Sequence, residues 1–268
     1  MTGHGSELVP DLIAHPLPDT VPLVERLPAP PRSLGRLGSA LHRLAAMQGA
    51  WPPIRPLRPH TVDLRPVEAS TLPAAALALG YAAADTDADA GVDLLVIGCA
   101  GDPAPALLLI ATVLDLEPVA VVGMDPSPGW APLVASIRDG LNRTRHLDNQ
   151  PVPLLVAVGD PQVAYLAALV AAAAVRRTPM VIDATPTVLA AALVADRLAS
   201  GARDWMIAGC SGTSPASRLV LSALELAPLL DLELGVQGGA QLAGDLLMAG
   251  IALPTGPAPD ESVDRAGG

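Results

Sequence analysis

The chain has 268 residues, 51% of them hydrophobic and only 16% charged, with a mean hydropathy of +0.44. That excludes a chain too polar to bury a core, and the length suits one large domain or two small ones. A formal charge of −11 opposes binding to a phosphate backbone, and all 16 basic residues are arginine. Without lysine there is no P-loop ATPase and no Schiff-base enzyme; with 2% aromatics there is no base-stacking platform. Two cysteines make no disulfide framework. The first ten residues show no basic stretch followed by an apolar one, and no uncharged run reaches the roughly 20 residues that span a bilayer. The expectation is a soluble, cytoplasmic protein that binds neither nucleic acid nor membrane.

Residues 1–31 carry prolines at Pro10, Pro16, Pro18, Pro22, Pro28, Pro30 and Pro31 and read as an extended arm. Ser33 suits the N-cap of a helix over 34–48, with Leu34, Leu37, Leu41, Leu44 and Ala45 on one face. Residues 51–66 form a proline-broken segment that carries Arg55, Arg58 and Arg65. A helix follows over 73–84. Short, continuously apolar runs then predict parallel strands near 93–98, 118–123, 153–158, 179–182 and 204–208. Between them lie alanine- and leucine-rich stretches of helix length, such as 163–177 and 188–199. Strands alternating with helices predict an α/β fold: a doubly wound parallel sheet with helices on both faces, one domain over 32–253. The tail, 254–268, is rich in Pro, Gly, Asp and Glu and reads as disordered.

Ligands of such sheets bind at the carboxyl ends of the strands. The predicted exits carry Gly98, Cys99, Gly101 and Asp102; then Asp125; then Asp160; then Asp183; and finally Cys210 and Ser211. Convergent carboxylates at one edge would suit a cation, an amine or a ribose. Asp-Pro is also how helices start, because aspartate caps and proline fits the first turn. Both readings stand, with capping the stronger. Cys99 and Cys210 divide the same way, between buried small residues and thiols whose pKa a helix N-terminus lowers. His4, His15, His42, His60 and His146 fall at no metal-ligand spacing, and His42 on the first helix reads as a surface residue. No nucleophile elbow, dinucleotide fingerprint or zinc motif occurs, so neither a metal nor a cofactor is expected.

Several strings resemble one family, the nicotinate-nucleotide–dimethylbenzimidazole phosphoribosyltransferases of cobalamin lower-ligand assembly. Pro30-Pro-Arg-Ser-Leu-Gly-Arg-Leu37 and Met47-Gln-Gly49 resemble its P-P-x-S-L-G-R-L helix and I-Q-G. Residues 89–98 resemble the strand before its nucleotide loop, Arg176 to Asp183 its R-I-P-V-V-L-D, and Leu224 to Leu232 its L-x-L-x-P-L-L-D-L. The departures fall on the chemistry. Where the family has E-M-G-I-G-N-T-T, this chain has residues 99–106, with Asp102, Pro103 and Pro105. Proline supplies no N–H to a phosphate, and aspartate repels one. G-R-G-T-G becomes residues 123–127 without its arginine, the following lysine falls at Leu133, and H-x-S-x-E-P-G-H becomes residues 210–217 without histidine or glutamate. The family's R-L-G-E-G-T-G-A, whose glutamate is the general base, reads Glu233 to Ala240 and is shorter by two. Gln237 is the nearest match to that glutamate, followed by Gly238 and Gly239. An amide is no base at neutral pH, and Glu233 reads as an ordinary charged residue near a helix end. A family segment with A-G-D-H-G-V is absent between Gly49 and Thr71.

The resemblance implies a cytoplasmic homodimer whose small-molecule ligand is nicotinate mononucleotide, a benzimidazole or a corrinoid intermediate. The implied function is that of a shortened family member with a degenerate site, weakly active or inactive. The alternatives are a non-catalytic binding or regulatory paralogue in cobalamin metabolism, and an unrelated α/β enzyme using the strand-end cysteines and aspartates.

Overall fold

The computed structural model describes residues 34–63, 65–124, 127–233 and 238–253. Helix α1 (Gly35–Gln48) leads to strand β1 (Pro59–Val62) and helix α2 (Pro73–Asp89). Strand β2 (Leu94–Ile97) is followed by five helices: α3 (Pro103–Val113), α4 (Pro118–Val122), α5 (Trp130–Thr144), α6 (Pro151–Val158) and α7 (Pro161–Val175). Strand β3 (Met180–Ile182), helix α8 (Pro186–Leu198), strand β4 (Met206–Ala208), helix α9 (Pro215–Ala223) and helix α10 (Gly238–Ile251) complete the order. The four strands pair in parallel as β1-β2-β3-β4, with Leu95 opposite Met180 and Met180 opposite Met206. The segment after α9 runs on beside β4, where Leu229 and Leu230 donate to the carbonyls of Ala208 and Gly209.

A strand order that rises in one direction, joined by right-handed crossovers, puts α2, α3, α7 and α8 in one layer. Their contacts agree: α2 packs on α7, α7 on α8 and α8 on α3. The other face is covered from the two ends of the chain. There α10 lies on β2 and β3, and α1 touches β4 and α10. Helix α7 is the innermost element. From Val163 to Ala174 every side chain is buried, and Tyr165 is the most exposed of them at 9%. A helix apolar on every side has nowhere to sit but between others. Its alanines permit close packing, and at Gly80 of α2 an added Cβ would stand 2.1 Å from the Tyr165 carbonyl oxygen.

Three expected strands lie where expected, at β2, β3 and β4. Two do not. Residues 118–122 are α4 and 151–158 are α6, both opened by proline at the first helical position. A short apolar run has the same composition in a buried strand and a buried helix, and Gly159 at φ 84° ends α6 as a left-handed cap rather than a strand exit. Conversely, β1 arises inside the proline-broken segment. It is an edge strand with an exposed start, where Pro59 is tolerated. Ser33, the arm and the tail lie outside the described residues, and α1 begins after Leu34 without a side-chain cap. His42 is half-buried rather than exposed: its ring meets Trp51 edge-on at 5.6 Å, and its Nε2 is buried without a partner among the described residues.

Candidate functional site

Parallel strands bring Cys99, Asp183 and Cys210 to one edge of the sheet, because each follows its strand in the same direction. The side chains there form two groups. In the first, the Asp102 carboxylate accepts from the Ala104 N–H at 3.0 Å and caps α3. Asp160 accepts from the Val163 N–H at 2.9 Å and caps α7. Capping, the stronger sequence reading, is what both aspartates do. Asp160 does not leave a strand, since α6 precedes it, yet it lies close enough to Asp102 for the two charges to interact. Burial pushes the Asp160 carboxyl above its ordinary pKa, Asp102 adds to that, and the Val163 and Gln162 amides oppose it.

The second group is tighter. Asp183 is fully buried, and its Oδ1 accepts from the Ala184 N–H at 2.7 Å and from the Cys210 thiol at 3.2 Å. The Gly239 N–H, in the first turn of α10, also donates to this carboxylate. Its Oδ2 has no partner among the described residues. Burial raises the Asp183 pKa, and those three donors only partly offset it. Gly239 is needed here for space: a Cβ would stand 2.4 Å from Cys210 Sγ and 2.8 Å from Asp183 Oδ1. Thr185 and Thr187 tie the two groups together. The Thr185 hydroxyl donates to the Cys99 carbonyl at 3.2 Å, and Thr187 lies so near Gly101 that a Cβ there would meet its Oγ1 at 2.6 Å.

Neither thiol is activated, contrary to the helix-terminus expectation. Burial pushes Cys99 up to about 12, with Asp160 adding and Arg65 opposing. Burial also pushes Cys210 up to about 11, and Asp183 adds to it. Desolvation and a neighbouring carboxylate outweigh the half-charge of a helix end.

Ser211 is turned away from both groups, its hydroxyl donating to Asp231 at 2.9 Å. Asp125 and Gln237 lie outside the described residues. Glu233 is exposed and stands in the connection between α9 and α10, not at a helix end as expected. Gly238 opens α10 with no atom near its Cβ direction.

Sequence reasoning missed a cavity of about 590 Å³ at the same edge, between the start of α5 and the start of α9. Trp130, Met124, Ser127, Thr213 and Ser214 line it, and none of its described lining residues is charged. The Trp130 indole donates to the Gly123 carbonyl at 2.8 Å and fixes that wall. Arg65, which the sequence showed only as one of three arginines between prolines, is the cation whose field Cys99 feels.

A parallel α/β sheet with a carboxyl-edge cavity and helix N-termini aimed at it defines a small-ligand binding fold. A family model described as "Phosphoribosyltransferase" matches residues 69–261, and the chain belongs to that family. The nicotinate-nucleotide–dimethylbenzimidazole phosphoribosyltransferase of Mycobacterium ulcerans (strain Agy99) is 44% identical over 186 residues, 67% of this chain and 52% of the relative. The enzyme of that name from Mycobacterium avium (strain 104) is 45% identical over 184 residues, 66% and 52%. The chain thus spans about half the length of the curated relatives it matches. The crystal structure of CobT from Thermus thermophilus superposes with a TM-score of 0.71 at 26% identity, covering 87% of this chain and 93% of that one. Family membership removes the reading as an unrelated α/β enzyme.

Proposed function

We propose that this chain is a phosphoribosyltransferase-family protein of cobalamin nucleotide-loop assembly whose own carboxylates fill the positions a substrate phosphate would need, leaving it weakly active or inactive. The observation that carries the reading is the state of the α3 and α7 N-termini. A free N-terminus is an anion site because its first N–H groups lack partners. Here α3 is capped by Asp102, α7 by Asp160, and α10 faces the buried Asp183. Helices α3, α7, α8 and α9 also begin with proline, which has no N–H to offer. A phosphate approaching the start of α3 or α7 meets a carboxylate where it needs donors.

Transfer of ribose phosphate to a benzimidazole also needs a group to take the ring N–H proton. Asp183 is buried and already engaged by three donors, and Glu233 stands exposed in a connecting segment. Loss of a general base costs about 10²–10⁴-fold in rate, so slow turnover remains compatible with this site.

A second reading, a non-catalytic binding paralogue, is favoured by the cavity beside Trp130. Neutral hydroxyls and an indole suit an uncharged heterocycle such as a benzimidazole better than a phosphate. The cytoplasmic homodimer implied by the resemblance belongs to both readings. Incubating the purified protein with nicotinate mononucleotide and dimethylbenzimidazole, and assaying α-ribazole phosphate, tests the proposal. Little or no product is expected. Turnover comparable to that of the Mycobacterium avium relative would overturn it.

A further inference from the structure

The edge of the sheet opposite the candidate site has the reverse electrostatics. A cavity of about 410 Å³ opens where the chain enters β2 and β3, lined by Arg55, Arg176 and Arg177 and by Asp93. Arg176 is held by Asp85 and Asp89. Arg55 and Arg177 make no ion pair or side-chain hydrogen bond among the described residues. The one carboxylate in the wall is already committed, because Asp93 accepts from the Leu57 N–H at 2.7 Å and the Arg58 N–H at 2.9 Å. In a chain of net charge −11, two exposed arginines without an ion pair among the described residues thus line one cavity, whose single lining carboxylate, Asp93, is bonded to two backbone N–H groups.

Both arginines are held by ordered backbone. The Gln48 side-chain amide bonds to Ile54 twice, donating to its carbonyl and accepting from its N–H at 2.8 Å each, which fixes the residue before Arg55. Arg177 ends α7 in a Schellman motif: its N–H donates to Ala174 and that of Thr178 to Ala173, both at 2.9 Å. This places Arg177 at φ 62°, the left-handed position that glycine normally fills. The backbone favours glycine there, and the exposed Arg177 that takes its place lines the cavity. Met47, Ala88 and Val92 supply an apolar wall large enough for more than a bare ion.

We propose that the amino edge of the sheet holds a second small-molecule site that binds a phosphate monoester, its dianion on Arg55 and Arg177 and its organic part against Met47 and Val92. Planar guanidinium forks match phosphate oxygens two at a time, and charge-assisted hydrogen bonds are about twice as strong as neutral ones. The cleft between α1 and β4, also about 410 Å³, is a poorer choice. Its Arg43 and Arg36 already face Asp204 at 4.0 Å and Asp231 at 3.7 Å. The proposal does not rest on the reading of the carboxyl edge.

The test is calorimetric titration of the full chain with ribose 5-phosphate, inorganic phosphate and ribose, at ionic strength matched with sodium chloride. The variant is Arg55→Gln/Arg177→Gly, in which glycine suits the left-handed backbone, so melting at or above the parent temperature certifies the fold. Ribose 5-phosphate should bind the parent and lose at least about tenfold in affinity in the variant, while ribose binds neither. Absence of binding above the chloride control, or equal binding by parent and variant, would overturn the site.

Discussion

Replacing Asp160 separates a structural carboxylate from a functional one. Its side chain accepts from the Val163 N–H at 2.9 Å, at the start of a helix whose next twelve residues are mostly buried, so the cap anchors the central element of the fold. Asp160→Ala removes that acceptor, which costs about 1 kcal/mol, within a range of about 0.5–2. In a domain of this size that lowers Tm by about 2–4 °C. Asp160→Asn keeps the acceptor and removes the charge, along with its repulsion by Asp102 and its cost of burial. Asparagine should therefore match the parent within a few tenths of a kcal/mol or exceed it. The assay is urea unfolding at pH 7, followed by titration of each variant with nicotinate mononucleotide. If asparagine destabilises as much as alanine, the charge itself is required, Asp160 serves more than a cap, and the account of the filled N-termini is wrong.

Other expectations follow from the same geometry. Asp160 and Asp183 both have raised pKa values in the fold, so each releases its proton later than in the unfolded chain. Their contribution to stability is complete below the ordinary carboxylate pKa and is lost as pH rises through the folded value. Urea unfolding should thus show a component that weakens with rising pH and disappears in Asp160→Asn/Asp183→Asn; an unchanged slope in that double variant refutes the assignment. Cys99 and Cys210, at about 12 and 11, should stay unmodified by iodoacetamide at pH 8 in the native protein and react once it is unfolded in urea. Rapid native alkylation of either would contradict their burial. Gly80→Ala forces a methyl to within 2.1 Å of the Tyr165 carbonyl, and overpacking of this kind costs about 1–3 kcal/mol or more in urea unfolding. A neutral effect would mean that α2 and α7 are not in contact at that point.

Legibility from sequence depended on whether a residue's surroundings are local. Strands β2, β3 and β4 were readable because each run is apolar, short and followed by glycine or aspartate, and a fully buried parallel strand needs no alternation. The runs at 118–122 and 151–158 have the same apolar character and differ by the proline that opens each helix; they pack as helices, α4 on α5 and α9, and α6 on α3 and α5. Strand β1 was hidden because its pairing with β2 is long-range while its flanks are prolines. Capping by Asp102 and Asp160 is a local property and was legible. That Asp183 and Cys210 meet at the start of α10 was not, because those three segments are brought together only by the sheet. Arg55 and Arg177 are far apart in sequence and gave no motif, yet they line one cavity.

The central claim is that carboxylates cap the α3 and α7 N-termini where a substrate phosphate would need donors, and the free energy that a phosphate adds to binding measures this directly. Nicotinate mononucleotide and nicotinate riboside differ by that group alone. Both would be titrated into the Arg55→Gln/Arg177→Gly variant, so that binding at the amino edge does not contribute. The account predicts equal affinities within about threefold, well under the roughly 1.4 kcal/mol that a tenfold difference represents. A preference of about a hundredfold for the mononucleotide would show that the edge cradles the phosphate after all, and would contradict the account.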